Sequence, residues 1–86
     1  MKTLILTKAD FKETSSYYKE YVGEENVSDF DGNIEIEADL GCVFFKATLK
    51  AKGYIFAKAG SGIEAGSFIE AGSFIEAGSF IEAGSF

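Results

Sequence analysis

The chain has 86 residues and a formal net charge of −6 at pH 7, and all eight of its basic residues are lysines. An acidic chain without arginine is poorly suited to nucleic acid, because such binding depends on neutralising phosphates. Histidine is absent, which removes the commonest general base and the commonest metal ligand. We therefore expect one small domain that is not an enzyme and that binds no cofactor, metal or nucleic acid.

The N-terminal region predicts a strand followed by a helix. Residues 3–7 have the composition of a short strand, and residues 9–22 carry apolar side chains at helical spacing. Asp10 is a candidate N-cap with Glu13 three residues later, and Gly23 follows the last periodic residue. The acidic segment 23–33 then predicts a loop and turn.

No segment of the sequence predicts a membrane span or a signal peptide. The first apolar run covers only residues 4–6, and no later run is long enough to cross a bilayer. We therefore expect a cytoplasmic protein that does not bind membranes. The single cysteine, Cys42, is expected to be a small apolar residue and not a nucleophile, because no histidine is present to activate it.

From Ile34 onward the apolar pattern has a period of two, which predicts half-buried strands. The alternation is interrupted at Gly41 and Cys42, restarts at Val43 and keeps its phase to the end of the sequence. Residues 63–86 are four identical copies of Ile-Glu-Ala-Gly-Ser-Phe, and seven hexads can be counted over residues 45–86. Because one hexad cannot bury its own apolar face, the copies must stack on one another.

Within each hexad, Ile, Ala and Ser alternate with Glu, Gly and Phe, so one set faces inward and the other outward. The small Ala65 and Ser67 suit crowded corners, and Gly66 is expected to supply the unusual backbone angles of a corner. The pattern resembles the hexapeptide repeat of the left-handed parallel β-helix: an aliphatic residue, then Gly, Ala, Glu or Asp, two free positions, a small residue and one more. Residues 63–68 fit every position.

The resemblance implies a mainly β fold: a triangular, left-handed solenoid in which three hexads, about 18 residues, form each coil. We predict an N-terminal capping strand, helix and loop over residues 1–32 and the solenoid over residues 33–86. The family's acyltransferases and carbonic anhydrases depend on histidine, so the resemblance implies neither activity for this chain.

The charges of the hexads favour an 18-residue coil over a 12-residue coil. In the longer coil, each lysine of the early hexads lies beside a glutamate of a later one, whereas in the shorter coil like charges meet. Opposite charges on neighbouring strands stabilise by about 0.2–1 kcal/mol, and like charges destabilise. The predicted pairs are Lys46 with Glu64, Lys52 with Glu70 and Lys58 with Glu76.

The outward phenylalanines of the repeats form more apolar surface than a monomer usually exposes. The last coil is also expected to leave an uncovered parallel edge, which is a template for another chain. We therefore predict a homo-oligomer, joined end to end through the C-terminal coil or side by side through the rings. The candidate self-association residues are Phe68, Phe74, Phe80 and Phe86.

The perfect identity of four copies, next to hexads that have diverged, predicts an engineered or idealised repeat on a natural N-terminal cap, with a recent duplication as the competing explanation. The predicted function is a structural, self-associating β-solenoid scaffold. The alternatives are a small intracellular or phage protein-binding module, which would use the acidic segment 20–31 or the aromatic wall, and a polymer-forming cytoskeletal solenoid.

Overall fold

The computed structural model describes residues 2–14 and 18–83, and for Tyr18 it describes the backbone alone. Within these ranges the chain forms β-strands and one 3-10 helix, Lys8–Asp10. The strands are β1 (Lys2–Leu6), β2 (Phe11–Glu13), β3 (Tyr18–Tyr21), β4 (Gly32–Ile36), β5 (Gly41–Phe45), β6 (Leu49–Ala51), β7 (Ile55–Ala57), β8 (Ser61–Ala65), β9 (Ile69–Ala71), β10 (Ile75–Ala77) and β11 (Ile81–Ala83).

Successive strands turn through three sheets, so the chain winds as a β-solenoid of about three turns. The first sheet has the order β1-β4-β7-β10, the second β11-β8-β5-β3-β2, and the third pairs β6 with β9. Every pairing is parallel except that of β2 with β3. The expected mainly β solenoid is therefore confirmed for the described residues.

Aliphatic side chains stack in rows along the inside of the solenoid. One row contains Ile34, Ile55 and Ile75, and another contains Val43, Ile63 and Ile81. In the third sheet Leu49 lies beside Ile69. The central members of these rows are fully buried, so the stacked interior is the hydrophobic core.

The coils differ in length, and the difference lies at one corner. Val43 pairs with Ile63, an offset of 20 in sequence number, whereas Ile63 pairs with Ile81, an offset of 18. Ile63 comes six positions after Ala57, because the corner between them contains an extra turn in which Gly60 has a φ of 84°. In the repeats, Ile81 comes only four positions after Ala77. The 18-residue spacing thus applies where identical hexads pair with each other.

The predicted helix over residues 9–22 is wrong. The chain forms the short 3-10 helix and then the antiparallel pair of β2 and β3. The ring of Phe11 lies 5.8 Å from that of Tyr21 and 6.0 Å from that of Phe45, with both pairs edge to face. Packing of these rings against the end of the solenoid overrides the local helical pattern. The Asp10 carboxylate accepts a hydrogen bond from the Thr7 N–H, at 2.9 Å, and closes the 3-10 turn.

Candidate self-association surfaces

The identical hexads form the last coil, and its interior is uncovered among the described residues. Ile55 and Ile63 in the preceding strands are completely buried. By contrast, Ile69 and Ile75 are only half-buried, and Ile81 is 45% exposed although it continues an inward row. The end of the solenoid formed by β9, β10 and β11 is therefore an apolar surface bordered by strand edges that lack a partner among residues 2–14 and 18–83.

The phenylalanines of the repeats lie at three different corners of this coil. Phe68, Phe74 and Phe80 immediately precede β9, β10 and β11, which belong to three separate sheets. Their side chains are 45%, 48% and 41% exposed. The structure consequently distributes them around the rim of the last coil and does not gather them into one patch. The fourth candidate, Phe86, lies outside the described residues.

Two of these rings also have partners within the chain. Phe74 stacks on Tyr54 of the preceding coil, with ring centroids 5.0 Å apart and planes inclined by 9°. Phe80 covers Gly62, where an added Cβ would lie 2.6 Å from the ring. Phe68 is connected to the preceding coil through its backbone, because its carbonyl oxygen accepts a hydrogen bond from the Leu49 N–H at 2.8 Å. Stacking within the chain therefore buries part of each ring and leaves the remainder exposed.

The glycine of the repeat is required by close approach and not by unusual backbone angles. Among the described glycines, positive φ angles occur at Gly41 and Gly60 and not at Gly66, so the expectation for that residue is wrong. An added Cβ at Gly66 would instead lie 2.2 Å from the carbonyl oxygen of Lys46, and one at Gly72 would lie 2.1 Å from that of Lys52. Each corner of the repeats thus rests directly on the backbone of the coil before it.

The same contacts show that the predicted charge pairs are wrong. The backbone carbonyls of Lys46 and Lys52 lie against Gly66 and Gly72 at the corners. The residues that pair with the glutamates are two positions earlier, since Phe44 pairs with Glu64 and Lys50 pairs with Glu70. The extra turn at Gly60 causes this displacement. In the observed register Lys50 lies beside Glu70, with Nζ and Oε2 3.4 Å apart.

The three lysines of the predicted pairs contact the preceding coil instead. Lys46 is 3.2 Å from a Glu20 carboxylate oxygen. Lys52 and Lys58 lie 3.9 Å from Asp31 and 3.8 Å from Glu35. The glutamates have other neighbours: Glu64 is paired with Phe44 and with Glu82, and Glu76 with Phe56. The lysines therefore link the N-terminal coils to one another and leave the last coil strongly acidic.

Chemically reactive groups are scarce in the described part of the chain. Burial and, to a smaller extent, the carboxylates of Glu64 and Glu82 together raise the pKa of the Cys42 thiol to about 11. At neutral pH the thiol is protonated and a poor nucleophile. Within residues 2–14 and 18–83 no group of three His, Cys, Asp or Glu side chains is placed to hold a metal ion.

One open cleft, of about 230 Å³, lies beside the acidic loop near the N-terminal end. Tyr21 and residues 25–28 form one side, and residues 45–48 form the other. The loop is held in place because the Tyr21 hydroxyl donates to the carbonyl of Glu25 at 3.0 Å and the Ser28 hydroxyl donates to that of Thr48 at 2.9 Å. The cleft is small but belongs to the segment that the sequence offers as a docking surface for a protein partner.

In the described residues no helix is both long enough and apolar enough to cross a bilayer. No protein family, curated protein or solved structure matches this chain.

Proposed function

We propose that this protein is a structural β-solenoid scaffold that associates with itself and has no catalytic activity. The observation that supports the proposal is the apolar end of the last coil, where Ile69, Ile75 and Ile81 are partly exposed although their counterparts in the preceding coil are buried. A parallel stack of strands gains stability from each neighbour that it adds, so a second molecule is a favourable cover for such an end.

The finer architecture belongs to the same proposal. The solenoid is left-handed, as the resemblance to hexapeptide-repeat proteins implies, and three of the identical hexads make one 18-residue coil. The pairing of Ile63 with Ile81 supports this length. The repeat is an engineered or idealised sequence joined to a natural N-terminal cap, and the protein is cytoplasmic. The corner before Ile63 contains an extra turn, and the corresponding corner before Ile81, within the identical copies, does not. This abrupt change supports an idealised design.

Sedimentation velocity at several protein concentrations tests self-association. We expect the mass to rise above the 9.3 kDa of one chain as concentration increases. A single species of 9.3 kDa at all concentrations would contradict the proposal. Far-UV circular dichroism on the same samples should show a β-rich spectrum at every concentration, because the solenoid forms within one chain.

A protein-binding module is the second candidate, and the cleft beside residues 25–28 favours it. A basic peptide would suit this segment, because residues 20–31 contain five carboxylates and no lysine. Replacing Glu24 and Glu25 by glutamine should then abolish capture of such a peptide without changing self-association. A third candidate is a polymer-forming cytoskeletal solenoid. It would make the same end contacts, and it differs from the first proposal in that the growing fibre is itself the functional form.

A further inference from the structure

The sheet of β1, β4, β7 and β10 has two outer strands whose far sides are unpaired among the described residues. The three pairings in this sheet are all parallel, so β1 at the N-terminal end and β10 at the C-terminal end run in the same direction. Unpaired N–H and C=O groups along such strands favour the addition of another strand.

The hydrogen bonds of β1 identify the groups that face outward. The Leu6 carbonyl accepts from the Glu37 N–H at 2.9 Å, so the backbone groups of Leu6 face the neighbouring strand. Because successive residues of a strand point their backbone groups to opposite sides, those of Thr3 and Ile5 face away from β4. We call the backbone of Thr3 and Ile5 the head edge.

The same reasoning applies to β10. The N–H of Ile55 donates to the Phe74 carbonyl at 2.9 Å, and the Gly78 N–H donates to the Ala57 carbonyl at 2.9 Å. Phe74 therefore faces β7, and the alternate residues Ile75 and Ala77 direct their backbone groups away from it. We call the backbone of Ile75 and Ala77 the tail edge.

The head and tail edges match in both side chains and hydrogen bonds. Leu4 begins an inward row that continues through Ile34 and Ile55 to Ile75. If Leu4 of a second molecule lies beside Ile75, the inward row continues. The outward N–H and C=O groups of Ile75 then face the C=O of Thr3 and the N–H of Ile5, so donors meet acceptors. Leu4 and Ile75 are both half-buried in the monomer, and Ile5 is 55% exposed. The contact would thus bury apolar surface at both ends.

Charge favours this pairing over the contact of two like ends. Residues 66–83 contain three glutamates and no lysine, whereas residues 2–12 contain three lysines and one aspartate. Two tail ends would bring their glutamates together, and like charges on neighbouring strands destabilise a sheet. A head end offers lysines to the acidic tail.

We propose that the tail edge of one molecule binds the head edge of a second copy by parallel strand pairing. The inference rests on the proposed self-association and specifies its geometry. Because head and tail are different surfaces, the contact does not close on itself and generates linear chains of molecules.

Proline substitutions at the two edges test this geometry. Ile5→Pro removes a donor from the head edge, and Ala77→Pro removes one from the tail edge, in each case at a residue whose N–H faces away from the neighbouring strand. Ile5→Val and Ala77→Ser are the matched controls, because they keep the backbone donor. Circular dichroism and urea unfolding verify that each variant is folded before its mass is measured by sedimentation.

Each proline variant alone should remain monomeric, while an equimolar mixture should form a dimer and nothing larger. Association of Ile5→Pro alone would indicate tail-to-tail contact, and association of Ala77→Pro alone would indicate head-to-head contact. Association of both would assign the interface to the phenylalanine corners. Any of these results, or a mixture that stays monomeric, would overturn the inference. A wild-type chain that never associates would contradict the proposed function itself.

A charge variant gives a second test that does not depend on tolerance of proline. Glu76 is exposed at the tail, and in this register it lies beside Ile5. Glu76→Lys therefore acts through the overall attraction between the acidic tail and the lysines of the head, and it should weaken wild-type association by about twofold at low ionic strength and by less at high ionic strength. Glu35→Gln, at a middle strand of the same sheet, is the control and should change association little. Unchanged or stronger association of Glu76→Lys would overturn the head-to-tail geometry.

Discussion

The ring of Phe74 lies flat on the ring of Tyr54, with centroids 5.0 Å apart, and the Tyr54 hydroxyl donates a hydrogen bond to Glu35. One column thus connects three successive coils on the outside of the solenoid. The hydrogen bond to Glu35 raises the pKa of the Tyr54 hydroxyl above its ordinary value of 10.0, so the hydroxyl remains a donor further into the alkaline range than a free tyrosine does.

This stack predicts an energetic coupling between Phe74 and Tyr54. In a double-mutant cycle with Phe74→Ala and Tyr54→Ala, urea unfolding should give a coupling of about 0.5–1.5 kcal/mol. Phe68 lies at another corner, so a cycle of Phe68→Ala with Tyr54→Ala should be additive. Equal coupling in the two cycles would mean that the Phe74 stack is not formed in solution.

The close contact at Gly72 predicts that the repeat does not tolerate alanine there. A Cβ at this position would lie 2.1 Å from the Lys52 carbonyl oxygen, so the two coils would have to separate. Gly72→Ala should lower the free energy of unfolding by about 1–3 kcal/mol, as overpacking does in protein interiors. Ser73, the exposed neighbour of Gly72, provides the control: Ser73→Ala should change the free energy of unfolding by no more than about 0.5 kcal/mol. Equal stability of the two variants would contradict the stacked corner.

The environment of Cys42 predicts slow alkylation at pH 8. With a pKa of about 11, caused by burial and by Glu64 and Glu82, the thiol has far less thiolate at pH 8 than a free cysteine. Iodoacetamide should react roughly a hundredfold more slowly than with free cysteine, and its rate should rise with pH until about pH 11. Glu64→Gln should increase the rate at pH 8, whereas Glu76→Gln should not. A rate equal to that of free cysteine would contradict this environment.

The sequence predicts the architecture well because alternation and the hexad period are local properties. Inward Ile34, Ile55 and Ile63 follow from the pattern and are buried as expected. The register does not follow from it, for a physical reason. The corner before Ile63 has two more residues than the corner before Ile81, and an insertion of two leaves the alternation of inward and outward side chains unchanged. The charge pattern therefore predicts a plausible but incorrect pairing.

The N-terminal region is mispredicted for a different reason. Asp10 and Glu13 have the spacing of a helix start, and the local pattern contains nothing about the partner of Phe11. That partner includes Phe45, which is 34 positions further along the chain. Contacts of this range decide between helix and strand where propensities are weak.

The central structural claim is that the repeats stack on the preceding coil with an offset of 20 in sequence number, as in the pair of Leu49 and Ile69. Disulfide formation tests it directly in a Cys42→Ser background, because only side chains on facing positions can be bridged. The claim predicts that Lys50→Cys with Glu70→Cys oxidises readily to an intramolecular disulfide and that Lys52→Cys with Glu70→Cys does not. Bridging of the second pair and not the first would contradict the observed register and restore the 18-residue spacing for this coil.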